Sequence, residues 1–192
     1  SDILLENFKV GGLKKYGLDY RSLQQANPKL IYCSITGFGQ DGPYAKRAGY
    51  DFMIQGMGGI MSITGVPDGE PGAGPVKGGV AFADLFTGLY AVSGILAALV
   101  HRERSGEGQY IDVAMFDTAL TMMAPNVSDW LNAGLVPEAL GAQSQAKSPV
   151  SDAFPTRNGH FALIIVTDDH WQKLCAVVGR QAGLDDQQAT TR

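Results

Sequence analysis

Apolar positions along the chain follow two different spacings. Residues 3–5 (ILL), 30–35 (LIYCSI) and 109–114 (QYIDVA) are short, apolar, β-rich runs of strand length. Between and after them the apolar spacing becomes helical. Asp19 is placed to cap a helix over 20–26, which Asn27-Pro28 stops. A glycine-rich loop runs from Gly37 to Gly49, and 51–57 has a helical pattern. Gly58-Gly59 and the 69–79 region predict an extended loop rich in Gly and Pro. The longest apolar stretch, 80–100, predicts a long buried core helix over 82–104. Residues 105–108 (SGEG) end it, and His101, Arg102 and Arg104 complement its C-terminal dipole. Asp84 within that stretch would be costly in lipid, and Gly88 and Gly94 allow close backbone approach, so a core helix is preferred to a membrane span. A second apolar helix is expected over 117–130. Further on, an Asn158-Gly159 turn leads into a strand at 161–166, and Thr167 or Asp168 caps a helix through 178.

Strands alternating with helices predict an α/β fold with a mostly parallel sheet over 1–134. A polar, proline-containing linker is expected at 135–150, and the start of a smaller α+β domain at 151–192. The first residues (SDILLENF) carry no start methionine and no preceding element, so a fragment of a longer protein is expected.

Composition narrows the functional classes. The 192 residues are 45% hydrophobic and 18% charged, an ordinary globular mixture. A net charge of −4 argues against a nucleic-acid partner, so an anionic ligand would have to use local cations. Cys33 and Cys175 are far apart and read as reduced thiols of a cytoplasmic protein. His101, His160 and His170 are scattered and offer no zinc spacing.

Two motifs invite a chemical reading. Gly37 to Gly42 (GFGQDG) matches GxGxxG after a strand, but polar PYAKR follows instead of an apolar helix, and no acid stands about twenty residues on. Nicotinamide binding is therefore rejected in favour of a loop that needs positive φ. The other is Asp117, at the expected junction of a strand and a helix. There the dipole and free N–H groups would hold a carboxylate ionised and could stabilise an oxyanion beside it. Met115, Phe116, Ala119 and Leu120 predict an apolar, poorly solvated setting that suits a nucleophile. An ordinary helix cap is the alternative, and Asp112 is a weaker candidate.

Five segments in register decide between such readings: Glu6-Asn7-Phe8, 34–44 (SITGFGQDGPY), 47–51 (RAGYD), 94–99 (GILAAL) and 108–117 (GQYIDVAMFD). Together they resemble the family III CoA-transferases, the CaiB/BaiF group, over essentially the whole chain. The resemblance implies a Rossmann-like large domain, a smaller second domain and an interlocked homodimer in the full-length protein. It implies that Asp117 attacks an acyl-CoA donor to form a mixed anhydride and then an aspartyl-CoA thioester, from which CoA passes to a carboxylic acid acceptor. Acyl-CoA and a small carboxylic acid are then the partners, with no membrane, no permanently bound cofactor and no metal. The CoA contacts it implies are Asn7, Phe8, Lys9 and Lys15, the last standing where relatives carry arginine, with Arg47 reaching another phosphate or the pantetheine arm. Tyr50 and Asp51 complete the set. Tyr50 either lines the site or simply packs, and Asp51 either orients a partner or caps a helix. An α-methylacyl-CoA racemase of the same fold would carry a histidine base where Tyr50 stands, and tyrosine is a poor base near neutrality. A non-catalytic CoA-binding remnant is the remaining alternative. Gly141-Ala142-Gln143-Ser144 is the nearest counterpart of the glycine loop that covers the site in some transferases.

Overall fold

A computed structural model describes residues 1–143 and 151–180. The chain divides into two compact units between Ala139 and Leu140, within the stretch expected as a linker. In the first unit β1 (Ile3–Glu6), β2 (Ile31–Thr36) and β3 (Tyr110–Ala114) form a parallel sheet in the order β1-β2-β3. The register pairs Glu6 with Ser34 and Ser34 with Asp112. The fold is therefore α/β with a parallel sheet.

The alternation of each strand gives the sheet two unlike faces. On one, Cys33, Ile35, Ile111 and Val113 pack with Ala91 and Ile95 of α3 (Phe82–Ser105). On the other, Tyr32 and Tyr110 meet Tyr20 of α1 (Tyr20–Ala26), whose ring stacks on Tyr110 at a 5.1 Å centroid distance. Asp19 caps α1 as expected, accepting from Ser22 N at 3.3 Å. Tyr110 Oη donates to Ser34 Oγ at 3.1 Å, and Ser34 Oγ donates to Glu6.

The long helix α3 departs from expectation. By length and composition it is apolar enough to cross a membrane, but it is not buried all round. Only Ala83, Thr87, Ala91 and Ala98 are buried, while Leu89 is 61% exposed and Leu96 57%. Ala91 packs on the sheet and Ala83 in a separate core with Ile54 and Met115, so only part of the helix surface is covered. Gly94 admits a close side chain and not a backbone: a Cβ there would meet Ile111 Cγ2 at 3.1 Å, whereas Gly88 has open space.

The expected 117–130 helix is two helices, α4 (Met115–Met122) and α5 (Ala124–Ala133). Pro125 near the start of α5 has no N–H to continue the ladder, so the chain restarts there. A second core under the site joins Met115 and Ala119 of α4 to Ile54 of α2 (Asp51–Met57) and to Ile60, Ala83 and Met123. In the second unit, β4 (Asp152–Thr156) and β5 (Gly159–Leu163) form an antiparallel hairpin, followed by α6 (Asp168–Val178). Thr167 is the cap of α6, accepting from His170 N at 3.2 Å. Ser144, the last residue of the segment set against the family's glycine loop, lies outside the described residues.

Candidate active site

Parallel strands deliver their carboxyl ends to one edge of the sheet, and the loops after them build a cleft there. Asn7, Phe8 and Lys9 follow the end of β1, and Ile35 to Gly37 come from the end of β2. Arg47, Tyr50 and Asp51 enter at the start of α2, Asp84 and Thr87 from the first turns of α3, and Met115 from α4. The cleft they line measures ≈ 490 Å³. Its throat depends on two glycines. A Cβ on Gly37 would stand 2.5 Å from Gly49 Cα, so neither strand of the crossing tolerates a side chain. Gly39 and Gly42 have φ of 84° and 85°, the positive-φ loop expected of this segment.

Six of the seven expected ligand contacts meet in this one cleft: Asn7, Phe8, Lys9, Arg47, Tyr50 and Asp51. Lys15 does not line it. Its ammonium lies 4.7 Å from the centroid of the Tyr16 ring, in a 3-10 turn (Lys14–Tyr16). Arg47 is exposed and lies 4.7 Å over the Tyr44 ring. Tyr44 packs edge-on against Phe38, and Phe38 against Phe116. Tyr50 is 73% exposed and does not pack into the core of the described residues.

Asp51 has the other character. It is buried, and its Oδ1 accepts from Ala83 N at 2.9 Å. It thereby caps α3, not the helix it begins. Its Oδ2 accepts from Gln55 Nε2 at 2.8 Å and faces Lys77 Nζ at 3.4 Å.

Asp117 is the third residue of α4, inside the first turn and not at the junction. The expected shelter is absent among the described residues. α4 buries Met115, Thr118 and Ala119, and helical spacing turns Asp117 outward to an exposed position. The residue is not in the lining of the cleft, although Met115, two positions earlier, is. Its carboxylate has no hydrogen bond or ion pair among the described residues. One of the N–H groups expected to be free beside it, that of Phe116, donates to Gly37 O at 3.0 Å. Asp112 is a clamp: it accepts from Gln40 N at 2.8 Å and holds the glycine loop against β3. Burial pushes the Asp112 carboxyl above its ordinary value. The Gln40 hydrogen bond pulls it back, and the charges of Asp41, Asp117 and Glu6 push it further up.

Asp84 was not anticipated as a site residue. Its carboxyl is raised chiefly by burial, then by the Asp51 charge, against the pull of Lys77. The sequence held a signal, since an acid in an otherwise apolar helix needs a polar surface to face. Gln55 was missed as well, and its only signal is the i, i+4 spacing from Asp51.

This arrangement can be set against known proteins. The family model described as CoA-transferase family III matches residues 1–192. The chain belongs to that family. It is 51% identical over 191 residues to a succinate–glutarate CoA-transferase of Agrobacterium fabrum, covering 100% of this chain and 46% of that protein. It is 38% identical over 179 residues to an acetyl-CoA:oxalate CoA-transferase of Acetobacter aceti, covering 93% of this chain and 45% of that one. The crystal structure of a CaiB/BaiF family protein from Brucella suis superposes with a TM-score of 0.84 at 48% identity, over 98% of this chain and 48% of that chain. This family III chain spans about half the length of the relatives it matches.

Proposed function

We propose that the whole protein is a CoA-transferase that moves CoA from an acyl-CoA donor to a carboxylic acid, with Asp117 as the nucleophile. The observation that carries this reading is the cleft itself: six residues drawn from two separate loops line one opening at the carboxyl edge of the sheet. Lys9, Lys46 and Arg47 give that opening local cations in a chain of net charge −4, as the phosphates of CoA require. The names of the relatives point to short dicarboxylic acids as donor and acceptor.

A carboxylate suits the chemistry because its anhydride and its thioester are both activated acyl groups. Asp117 Oδ attacks the thioester carbonyl, the C–S bond breaks and CoA thiolate leaves. The thiolate attacks the aspartyl carbonyl of the anhydride and releases the donor acid. The acceptor carboxylate then attacks the aspartyl-CoA thioester, and the returning thiolate takes the acceptor acyl group and regenerates Asp117. An unpaired carboxylate two residues from the cleft wall supports this role, because no ion pair must be broken before attack. Shelter from water would come from surfaces beyond the described residues, such as the second subunit of an interlocked homodimer.

Tyr50 in place of a histidine base favours transfer over α-proton chemistry. The test uses the complete protein with acyl-CoA and an ¹⁸O-labelled dicarboxylate acceptor. A peptide containing Asp117 should trap the thioester and carry ¹⁸O after turnover. Unchanged turnover in Asp117→Ala, or deuterium wash-in at the α-carbon without any acceptor, would overturn it.

A further inference from the structure

Beneath the cleft is a buried polar latch. Gln55 is fully buried, at 0% exposure. Its Nε2 donates to Asp51 Oδ2 at 2.8 Å and to Val80 O at 3.1 Å, and its Oε1 accepts from Gly78 N at 3.0 Å. Asp51 in turn holds the Ala83 amide and the Lys77 ammonium, and Lys77 Nζ also donates to Gly78 O at 2.8 Å. One amide thus ties together the first turn of α2, the backbone of 77–80 and the first turn of α3.

A primary amide is suited to this place. It is neutral and can donate to a carboxylate and a carbonyl while accepting from a third group. An apolar residue would strand Gly78 N–H and Val80 O, and a glutamate would set a second carboxylate against Asp51. The cleft walls depend on the latch, since Tyr50 and Asp51 stand on one of the joined segments and Asp84 and Thr87 on another.

We propose that Gln55 is a positioning residue of the CoA cleft. It fixes the orientation of the Asp51 carboxyl and the path of residues 77–80, and so sets the separation of the wall carrying Tyr50 from the wall carrying Asp84. The inference rests on the CoA reading of the cleft given above.

The test compares Gln55→Met and Gln55→Glu in the complete protein, by CoA calorimetry and steady-state kinetics, with folding checked by near-UV circular dichroism. Gln55→Met keeps the length of the side chain and removes its donors and acceptor. Its Kd for CoA and its KM for acyl-CoA are expected to rise about tenfold, with a smaller change in kcat. In Gln55→Glu the introduced carboxyl faces Asp51 at 2.8 Å and takes up a proton at a raised pKa. The protonated form restores a donor to Asp51 and an acceptor for Gly78, so its CoA affinity should return toward wild type as pH falls and weaken as pH rises. A purely stabilising role would leave the affinity of the folded variants unchanged. Wild-type affinity in folded Gln55→Met overturns the inference, as does a Gln55→Glu affinity with no pH dependence beyond that of the wild type. If Gln55→Met does not fold, the pH series of Gln55→Glu decides. A wild-type protein that fails to bind CoA overturns the functional reading and this inference with it, whereas wild-type binding with indifferent variants overturns the inference alone.

Discussion

Asp51 and Asp117 occupy similar local positions and have opposite surroundings. Asp51 is the first residue of α2 and Asp117 the third of α4, so both stand in a first helical turn, where the dipole favours a carboxylate. Asp51 is 9% exposed and engages Gln55, Ala83 and Lys77. Asp117 is exposed, and its carboxylate has no hydrogen bond or ion pair among the described residues. The two helix starts are joined through the Gly37–Gly49 crossing, because Phe116 N donates to Gly37 O and Gly49 directly precedes Tyr50. The difference separates a carboxylate committed to the fold from one left free for the nucleophilic role proposed above. A carboxylate whose lone pairs are taken up by amides and an ammonium organises a fold, whereas one with free lone pairs can act as a reagent.

Substitutions can break this contrast. The largest effect is expected at Asp117: Asp117→Asn should lower turnover by roughly 10³-fold or more and move unfolding stability by no more than about 0.5 kcal/mol. Steady-state rates beside a thermal melt of the same sample check both halves, and a large loss of stability would mean that Asp117 has structural partners after all.

Asp51→Ala should show the reverse emphasis. Stranding the Ala83 amide and the Gln55 donor costs about 1–3 kcal/mol, read as a lower urea midpoint, and Asp51→Asn should recover part of it. An unchanged midpoint for Asp51→Ala would remove the structural side of the comparison.

Gly37→Ala probes the link between the two helix starts. The added methyl would stand 2.5 Å from Gly49 Cα and 2.7 Å from Gly49 N, both backbone atoms that cannot rotate away. A destabilisation of about 1–3 kcal/mol together with weaker CoA binding is expected. Loss of stability with intact binding would uncouple the crossing from the cleft.

The smallest effect concerns Asp112. Its folded pKa is raised above the ordinary value of an aspartate, so its contribution to stability is fully present below that ordinary value and is lost as pH rises through the folded value. Asp112→Asn removes this slope while keeping an acceptor for Gln40 N. The urea midpoint of the variant relative to wild type should therefore rise between acid and neutral pH. A flat difference would show that the charge of Asp112 is already well solvated.

Much of the secondary structure was legible because it depends on local chemistry. Asp19 before 20–26, the glycine stop at Gly106 and Thr167 before α6 are caps that satisfy orphan backbone groups from within a few residues. The break at Pro125 was equally local and was overlooked, because the apolar run across 117–130 masked it. The candidate site was legible as a set of motifs: six of the seven expected contacts converge, and the exception, Lys15, is separated from the others by its own 3-10 turn.

The order of apolar runs, caps and glycines in the sequence determined an α/β chain with a parallel sheet, and its motifs pointed to a CoA-handling site. Only the tertiary structure decided that Asp51 caps α3 and that Asp112 pins the glycine loop. The same holds for the buried Gln55 latch, the partial cover of α3 and the solvent-facing position of Asp117. The physical reason is range. Caps and turns are settled by hydrogen bonds between near neighbours, but the partners of Asp51 and Asp112 lie 32 and 72 residues away in the chain. Which side chain faces which is fixed only when the sheet and the helices around it have packed.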